Sequence, residues 1–245
     1  MGKNEVVKAS DNQLAIIEIG ETAITEVLAE NCGSGFSIFD LPSVKVPAAG
    51  GTAWEVPALD GSEHVKELSG VILHMQDQRT YWMHSMDEGG SGSPDCTSRD
   101  AVHGVALTED GPGGTAEQPR LCATCPMAEF GSGKGGSQGC SLKTQILLLQ
   151  EEQFLPVVVT IPPTSLKAKR KYMLQLTSAR KSACDVVTTL RLTQTTNKAG
   201  TKYSVVEFGC SRILDEAESQ VVRRYRAQLM SGTAQAAPTQ EPDEL

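Results

Sequence analysis

The 245-residue chain reads as an α+β protein built mainly from strands, and three observations say so. Short apolar runs, several alternating with polar residues, recur around 71–75, 155–161, 186–193 and 203–208, as strands require. Helical spacing of apolar residues is confined to a few segments. Between the two groups of strands lies a long stretch of Gly, Ser, Pro and Asp that holds four cysteines.

Taken in order, residues 14–30 mix Ile16, Ile17, Ile19, Ile24, Val27 and Leu28 with Glu18, Glu21 and Glu26, which suits a helix over about 21–30, stopped by Cys32-Gly33-Ser34-Gly35. From 36 to 57 the pattern is broken by Pro42, Pro47, Gly50 and Gly51, so only short extended pieces such as 44–46 fit. Residues 71–75 and 79–83 read as two strands joined by the polar turn Gln76-Asp77-Gln78. Segment 87–139 is irregular, and a loop of that length needs a tie. Residues 142–154 suit a strand or a short helix, which periodicity alone does not separate. A strand over 155–161 ends at Pro162-Pro163, after which Thr164 or Ser165 caps a helix to about Leu176, with Leu166, Met173 and Leu176 on one side. Residues 186–193 and 203–208 form a β-hairpin across 196–201. Asp215 with Glu218 makes a capping box for a last helix whose apolar stripe is Val221, Val222, Tyr225 and Leu229. The stretch 231–245 is Ala, Pro, Gln and acid, the composition of a disordered tail.

The tie is a metal ion. Cys122-Ala123-Thr124-Cys125 is a C-x-x-C knuckle whose spacing lets two thiolates reach one ion from a single turn. Cys96 precedes it and Cys140 follows it, which completes a four-sulfur set. Four thiolates point to structural zinc, because catalytic zinc keeps an open position and usually takes histidine or carboxylate. The stretch lacks the close-packed cysteine run of a ferredoxin, so an iron–sulfur cluster is disfavoured. His103 is the only nearby histidine and could stand in for one cysteine, most plausibly Cys96. A redox C-x-x-C would open a helix after a strand, whereas this one sits in a glycine-rich loop. The free-thiol reading suits Cys32, Cys184 and Cys210, which fall in or beside apolar segments.

Charge is distributed unevenly. Net charge is -8, yet residues 1–119 carry 6 basic and 19 acidic side chains, residues 120–212 carry 13 and 5, and residues 213–245 carry 3 and 6. The middle stretch can bind a polyanion whatever the overall sign, since the local field decides what docks. A single strand of DNA asks for cations along its phosphates and for aromatic faces under its bases. Lys167, Lys169, Arg170, Lys171, Arg180, Lys181, Arg191, Lys198 and Lys202 offer the first, and Tyr81, Trp82, Tyr172 and Tyr203 the second. Adjacent in a strand, Tyr81 and Trp82 face opposite sides, so one of them belongs to the core. Trp54, Phe130, Phe154 and Phe208 read as packing residues.

Other classes fit less well. Asp95, Asp100 and His103 beside a metal could suggest a nuclease, but a four-thiolate shell leaves no place for water. Gly131-Ser132-Gly133-Lys134-Gly135-Gly136 lacks the spacing and the preceding strand of a phosphate loop. No nucleophile and base pair stands out, so the chain is not expected to be an enzyme. Residues 1–11 are polar with no apolar core of a signal peptide, the cysteine count of 7 is odd, and no apolar run is long enough for a bilayer. A reducing cytoplasm is the expected setting, with no membrane partner.

Several short motifs together carry a resemblance. Asp40-Leu41-Pro42, Val46-Pro47-Ala48-Ala49-Gly50-Gly51-Thr52-Ala53-Trp54, Gly70-Val71-Ile72-Leu73, Arg79-Thr80-Tyr81-Trp82, Pro94-Asp95-Cys96, Cys122-Ala123-Thr124-Cys125-Pro126, Gly139-Cys140 and Ile161-Pro162-Pro163-Thr164-Ser165-Leu166-Lys167 stand in an order that resembles a family of phages and integrated mobile elements. That family is one of zinc-containing single-stranded DNA-binding proteins built on an oligonucleotide/oligosaccharide-binding (OB) barrel. The resemblance covers about 36–215. It implies an OB-like barrel with an inserted zinc-bound loop and flanking helices, Cys96, Cys122, Cys125 and Cys140 as ligands, and a role in replication or recombination of an element in a bacterial cell. The organisation expected is a helical or extended segment at 1–35, an OB-like DNA-binding domain at 36–230 with the zinc-bound insertion at 87–140, and a disordered tail at 231–245. The tail's Glu241, Asp243 and Glu244 resemble the acidic tips by which some single-strand binders recruit replication or recombination proteins. The alternative is a zinc-stapled interaction or regulatory module that binds no DNA, its basic helix docking an acidic partner.

Overall fold

The structure is a computed structural model that describes residues 30–32, 40–84, 93–151, 153–197 and 200–235. The helix expected over 21–30 and Lys198 therefore fall outside the described residues, apart from helical residue 30. The fold is α+β and mainly strand. Its strands are β1 (Ser43–Lys45), β2 (Trp54–Ala58), β3 (Gly61–Val65), β4 (Glu67–Tyr81), β5 (Cys96–Ser98), β6 (His103–Ala106), β7 (Arg120–Leu121), β8 (Ser141–Leu149), β9 (Val157–Ile161), β10 (Val186–Thr196) and β11 (Lys202–Ile213). Helix α1 (Leu166–Ser178) lies between β9 and β10, and α2 (Glu216–Gln235) follows β11.

One large sheet runs in the order β1-β9-β8-β4-β5-β6-β7, with β10 also paired to β4 and carrying β11. Only β1 and β9 are parallel in it. Strand β4 organises the rest. Its first part pairs with β10, its middle and end with β8, and its last residues also with β5. The two strands expected over 71–75 and 79–83 are thus one strand of 15 residues. Gln76, Asp77 and Gln78 do not turn because each has a cross-strand partner in Gln145, Thr144 and Lys143. Polarity there marks a face turned from the cores and an ion pair, and a turn was the wrong inference from it.

Both faces of the sheet's middle are covered. Val71, Leu73, Leu147, Leu149, Val158 and Val187 pack with Val222, Tyr225 and Leu229 of α2 on the outer face. Leu68, Ile72, Ile146, Leu148, Val157, Val159 and Leu190 fill an inner core with Val44, Trp54 and Val206. Strands buried on both sides read as unbroken apolar runs, which is why residues 142–149 could not be told from a helix by period. The structure makes them β8.

The inner core draws on both ends of the sheet, β1 and β11, so the sheet must curl. No closed barrel forms among the described pairings, since β1 pairs only with β9 and β11 only with β10. Side chains bridge the gap instead. Ser204 Oγ donates to Gly51 O at 2.7 Å, and Gln194 Nε2 to Gly50 O at 2.8 Å. The β2–β3 hairpin, unforeseen in a Pro- and Gly-broken stretch, is a separate two-stranded sheet and tolerates Pro57 because neither strand has a second neighbour. It seats Trp54, fully buried, with Nε1–H donating to Leu190 O at 3.1 Å.

The helix ends differ in how far the sequence foretold them. Asp215 and Glu218 form the expected capping box, each carboxylate accepting the other residue's N–H. Ser165 precedes α1 but does not cap it with its side chain; the buried hydroxyl accepts the Val206 N–H at 2.9 Å. At the other end of α1, Arg180 and Lys181 N–H groups close a Schellman-type stop on Thr177 O and Leu176 O, with Arg180 at φ 56°. Residues 231–235, expected in the disordered tail, continue α2. None of the helices described is long and apolar enough to cross a membrane.

The short helical turn Ala183–Asp185 carries a pH-sensitive contact. Burial alone would raise the Asp185 carboxyl, but the Ser182 N–H and the Arg223 guanidinium at 2.5 Å outweigh it and hold the value below the usual one. The unfolded chain then binds more protons in acid, so this contribution is full above the ordinary aspartate value, about 3.9, and is lost as pH falls through the lower folded value. Asp185→Asn is expected to lower the melting temperature at pH 7 and to flatten its decline below about pH 4. Parallel melting curves for the two proteins at every pH would contradict this.

Candidate metal centre and nucleic-acid interface

Segment 93–140 leaves the sheet at the end of β4 and returns at the start of β8, two strands that are direct neighbours. Its own strands β5, β6 and β7 extend β4's edge, so the stretch expected to be irregular has a frame. Cys96 opens β5 opposite both Tyr81 and Ala106. Cys122 follows β7 and starts a single tight helical turn, Cys122–Thr124, closed by Cys125 N–H to Cys122 O at 3.2 Å. Cys140 immediately precedes β8 and its N–H donates to Met127 O at 2.7 Å. Loop closure by neighbouring backbone thus delivers four thiols to one place.

All four cysteines are buried and line one small cavity of about 10 Å³, with Arg79, Arg120 and Gly104. A methyl added to Gly104 would stand 3.4 Å from Cys122 Sγ and 3.5 Å from Cys96 Sγ. At Gly113 the added methyl would meet Cys96 Sγ at 2.8 Å and the Ala106 nitrogen at 2.4 Å, so only glycine fits. The Gly113 N–H also bonds to Cys96. Among the described residues, no group of three or more His, Cys, Asp or Glu side chains is arranged to hold a metal ion as it stands. Convergence on one cavity is a looser relation than coordination, and it is the relation this geometry has.

The electrostatics suit a cationic guest. Burial, and then the neighbouring Cys140, Cys122 and Cys125, push the Cys96 thiol up to about 11. Burial also raises Cys140, against the opposing pull of Arg79, whose Nη1 donates to Cys140 O at 3.4 Å. Cys96 and Cys140, whose thiols resist ionisation, gain from a divalent ion, which favours thiolates and displaces their protons. The donor set therefore fits zinc, and two guanidiniums on the cavity wall would offset the excess negative charge of four thiolates on one such ion.

His103 does not line this cavity; its Nδ1 lies 2.6 Å from Asp100. Asp100 also accepts the Val102 and His103 N–H groups, and Asp95 accepts the Met83 N–H and the Thr108 hydroxyl. These acids shape loops, as turn-forming aspartates do.

The residues expected to meet nucleic acid are divided by the fold. Lys167, Arg170 and Lys171 are exposed along α1, where with Leu174, Gln175 and Ser178 they line an open groove of about 440 Å³. No described carboxylate pairs with them. Lys169 is not a surface cation: only 15% exposed, it donates to Asp77 and to the Thr144 hydroxyl at 2.6 Å each. Tyr172 is a core residue, 4% exposed, stacked on Phe208 and bonded to Thr188 Oγ1, so no base reaches it. Arg191 pairs with Glu67 across the β10–β4 ladder. Arg180 and Lys202 are exposed, while Lys181 and Tyr203 are half-buried.

Trp82 is 37% exposed, and Lys143 Nζ lies 5.6 Å from its ring centroid. Lys143 points to the face opposite Thr144, and Thr144 faces Lys169 of α1. The tryptophan and the basic row of α1 therefore occupy opposite faces of the sheet, and Tyr81, half-buried at the end of β4, joins no core cluster any more than Trp82 does, so neither is the core residue expected of the pair. Phe130, read as a packing residue, is instead 84% exposed beside the glycine-rich turn. Its flanking Gly131, Gly133, Gly135 and Gly136 were the available signal that nothing would pack against it.

What the fold and the cavity define is a class: a curled α+β sheet with a four-cysteine pocket inserted between two neighbouring strands. Compared with known proteins, the chain matches no family model, no curated protein and no solved structure.

Proposed function

We propose that this is a sequence-independent single-stranded DNA-binding protein, with an OB-like open barrel and a structural zinc held by Cys96, Cys122, Cys125 and Cys140, serving replication or recombination of a phage or mobile element. The observation that carries the reading is the row Lys167, Arg170 and Lys171, exposed on one helix and unpaired among the described residues, in a chain that is otherwise acidic. A row of three cations on one helix face sets a positive local field that a polyanion can use even on a protein of net charge -8. Zinc, where bound, would fix the inserted segment and supply no open position for chemistry.

The test is an anisotropy titration of labelled oligo-dT and its duplex over a range of salt. Single-strand affinity should fall with log salt at ~0.7 per phosphate neutralised, and three cations give a slope of about 2 or more. Lys167→Gln, Arg170→Gln and Lys171→Gln together should remove about 2 from that slope with unchanged folding. No binding, or a flat salt response, would turn us to the second reading, a zinc-stapled interaction module. That reading has its own support in Val102, Leu107, Leu121 and Phe130, large apolar side chains left exposed on the inserted segment.

A further inference from the structure

Strand β4 has a bounded gap along one edge. Val71 pairs with Leu149 of β8 and with Val187 of β10, so β8 and β10 lie on opposite edges. Arg79 pairs with Leu142 of β8 and with Ser98 of β5, which puts β5 on the same edge as β10. Between those anchors, Ile72 to Gln78 have β8 on one side and no strand on the other among the described residues. The Cys184 thiol takes up the start of the gap, donating to Ile72 O at 3.3 Å. What stays open is His74 to Gln78, about 17 Å of strand edge.

The start of the gap, Ile72 to Met75, faces a cleft of about 430 Å³. Leu73, Met75, Met173 and Leu176 give it an apolar floor, and Lys181 and Arg226 stand on its wall. Neither cation is in an ion pair among the described residues; Arg226 reaches the Cys184 sulfur, and the nearby Asp185 is taken by Arg223. Asp77, within the open stretch, is neutralised by Lys169.

We infer that this edge is a strand-addition site for an extended acidic peptide of a partner protein, lying between the end of β10 and the start of β5. An open edge offers amide donors and carbonyl acceptors in alternation, which a peptide strand complements and a phosphodiester chain, with acceptors alone along its backbone, does not. Lys181 and Arg226 select acidic side chains, and the floor takes the alternating apolar ones. A second copy of β4 is excluded as occupant, because β10 and β5 close both ends and would meet their own counterparts. The inference is independent of DNA binding.

The probe is a fluorescein-labelled peptide of alternating valine and glutamate, about five residues long to span the gap. It is titrated into the full chain by anisotropy and followed by NMR amide shifts. Expected are micromolar binding, shifts centred on His74 to Gln78, and an affinity loss of about tenfold or more in Lys181→Glu with Arg226→Glu. Peptides N-methylated at every second residue, in the two alternative phases, give a readout on the unmodified protein: one phase should bind like the parent and the other should fail. Equal binding of both phases overturns strand addition, as does no binding at all. Oligo-dT shifting the same amides in place of the peptide would assign the edge to nucleic acid and overturn the inference. So would binding that appears only after residues 236–245 are removed, since the chain's own tail would then be the occupant.

Discussion

If Cys96, Cys122, Cys125 and Cys140 hold the proposed zinc, Cys122→Ser should release it and unravel the inserted segment while leaving the large sheet standing. Hydrogen exchange should show it: amides of 93–140 lose protection to the level reached with a chelator, and those of β8, β9 and β10 keep theirs. Binding of a structural zinc is worth on the order of 10 kcal/mol, and little else holds this segment. Its strands β5, β6 and β7 have four residues at most, and its large apolar side chains Val102, Leu107, Leu121 and Phe130 face solvent. Cys96, pushed up to about 11, does not lose its proton near neutrality without a metal, and as a thiol it adds only weak hydrogen bonds to the segment. Cys184→Ser is the matched control. Its thiol is buried elsewhere and donates to Ile72 O, a bond a hydroxyl can keep, so that change should leave the metal content untouched. Equal protection of 93–140 with and without chelator would remove zinc from the account.

The other large loss is expected at Trp54→Ala, about 3–5 kcal/mol of stability, read from denaturant unfolding. The indole is fully buried in the inner core beside Leu190 and Val44, and its N–H holds Leu190 O. Truncation leaves a cavity and an unanswered carbonyl at once. Because Trp54 sits on the separate β2–β3 hairpin, its loss should also detach that hairpin from the sheet, visible as exchange of the β2 amides faster than those of β10. A loss below about 1 kcal/mol would mean that the hairpin packs independently.

Much of this architecture was legible because local chemistry and tertiary context agreed. The 186–193 and 203–208 hairpin had alternation and a turn, and the last helix had its reciprocal cap and stripe. The gathering of Cys96, Cys122, Cys125 and Cys140 on one cavity could be expected because no core of that composition holds itself together. Other features depended on partners distant in sequence. Polar Gln76 to Gln78 looked like a turn until β8 supplied Gln145, Thr144 and Lys143 across from them. Lys169 looked like its neighbours Lys167, Arg170 and Lys171, but helical spacing turns it toward Asp77 and the others away. Tyr172 shared the fate of Lys169, since one helix face belongs to the core. The absence of a closed ladder between β1 and β11 has no signature in either strand, because pairing is a property of two edges.

The place where the cysteine segment joins the sheet has a consequence for its modularity. Thr80 and Ser141 face each other across β4 and β8, with Cα atoms about 5 Å apart, so the segment's two roots are held together by the strands themselves. To the sheet, everything from 82 to 140 is the tip of a hairpin, and a short turn could replace it without shifting either strand. The same roots make a ready socket: a foreign domain whose ends lie close together could be spliced in there, and the cores on the two faces of the sheet would be indifferent to what it carries.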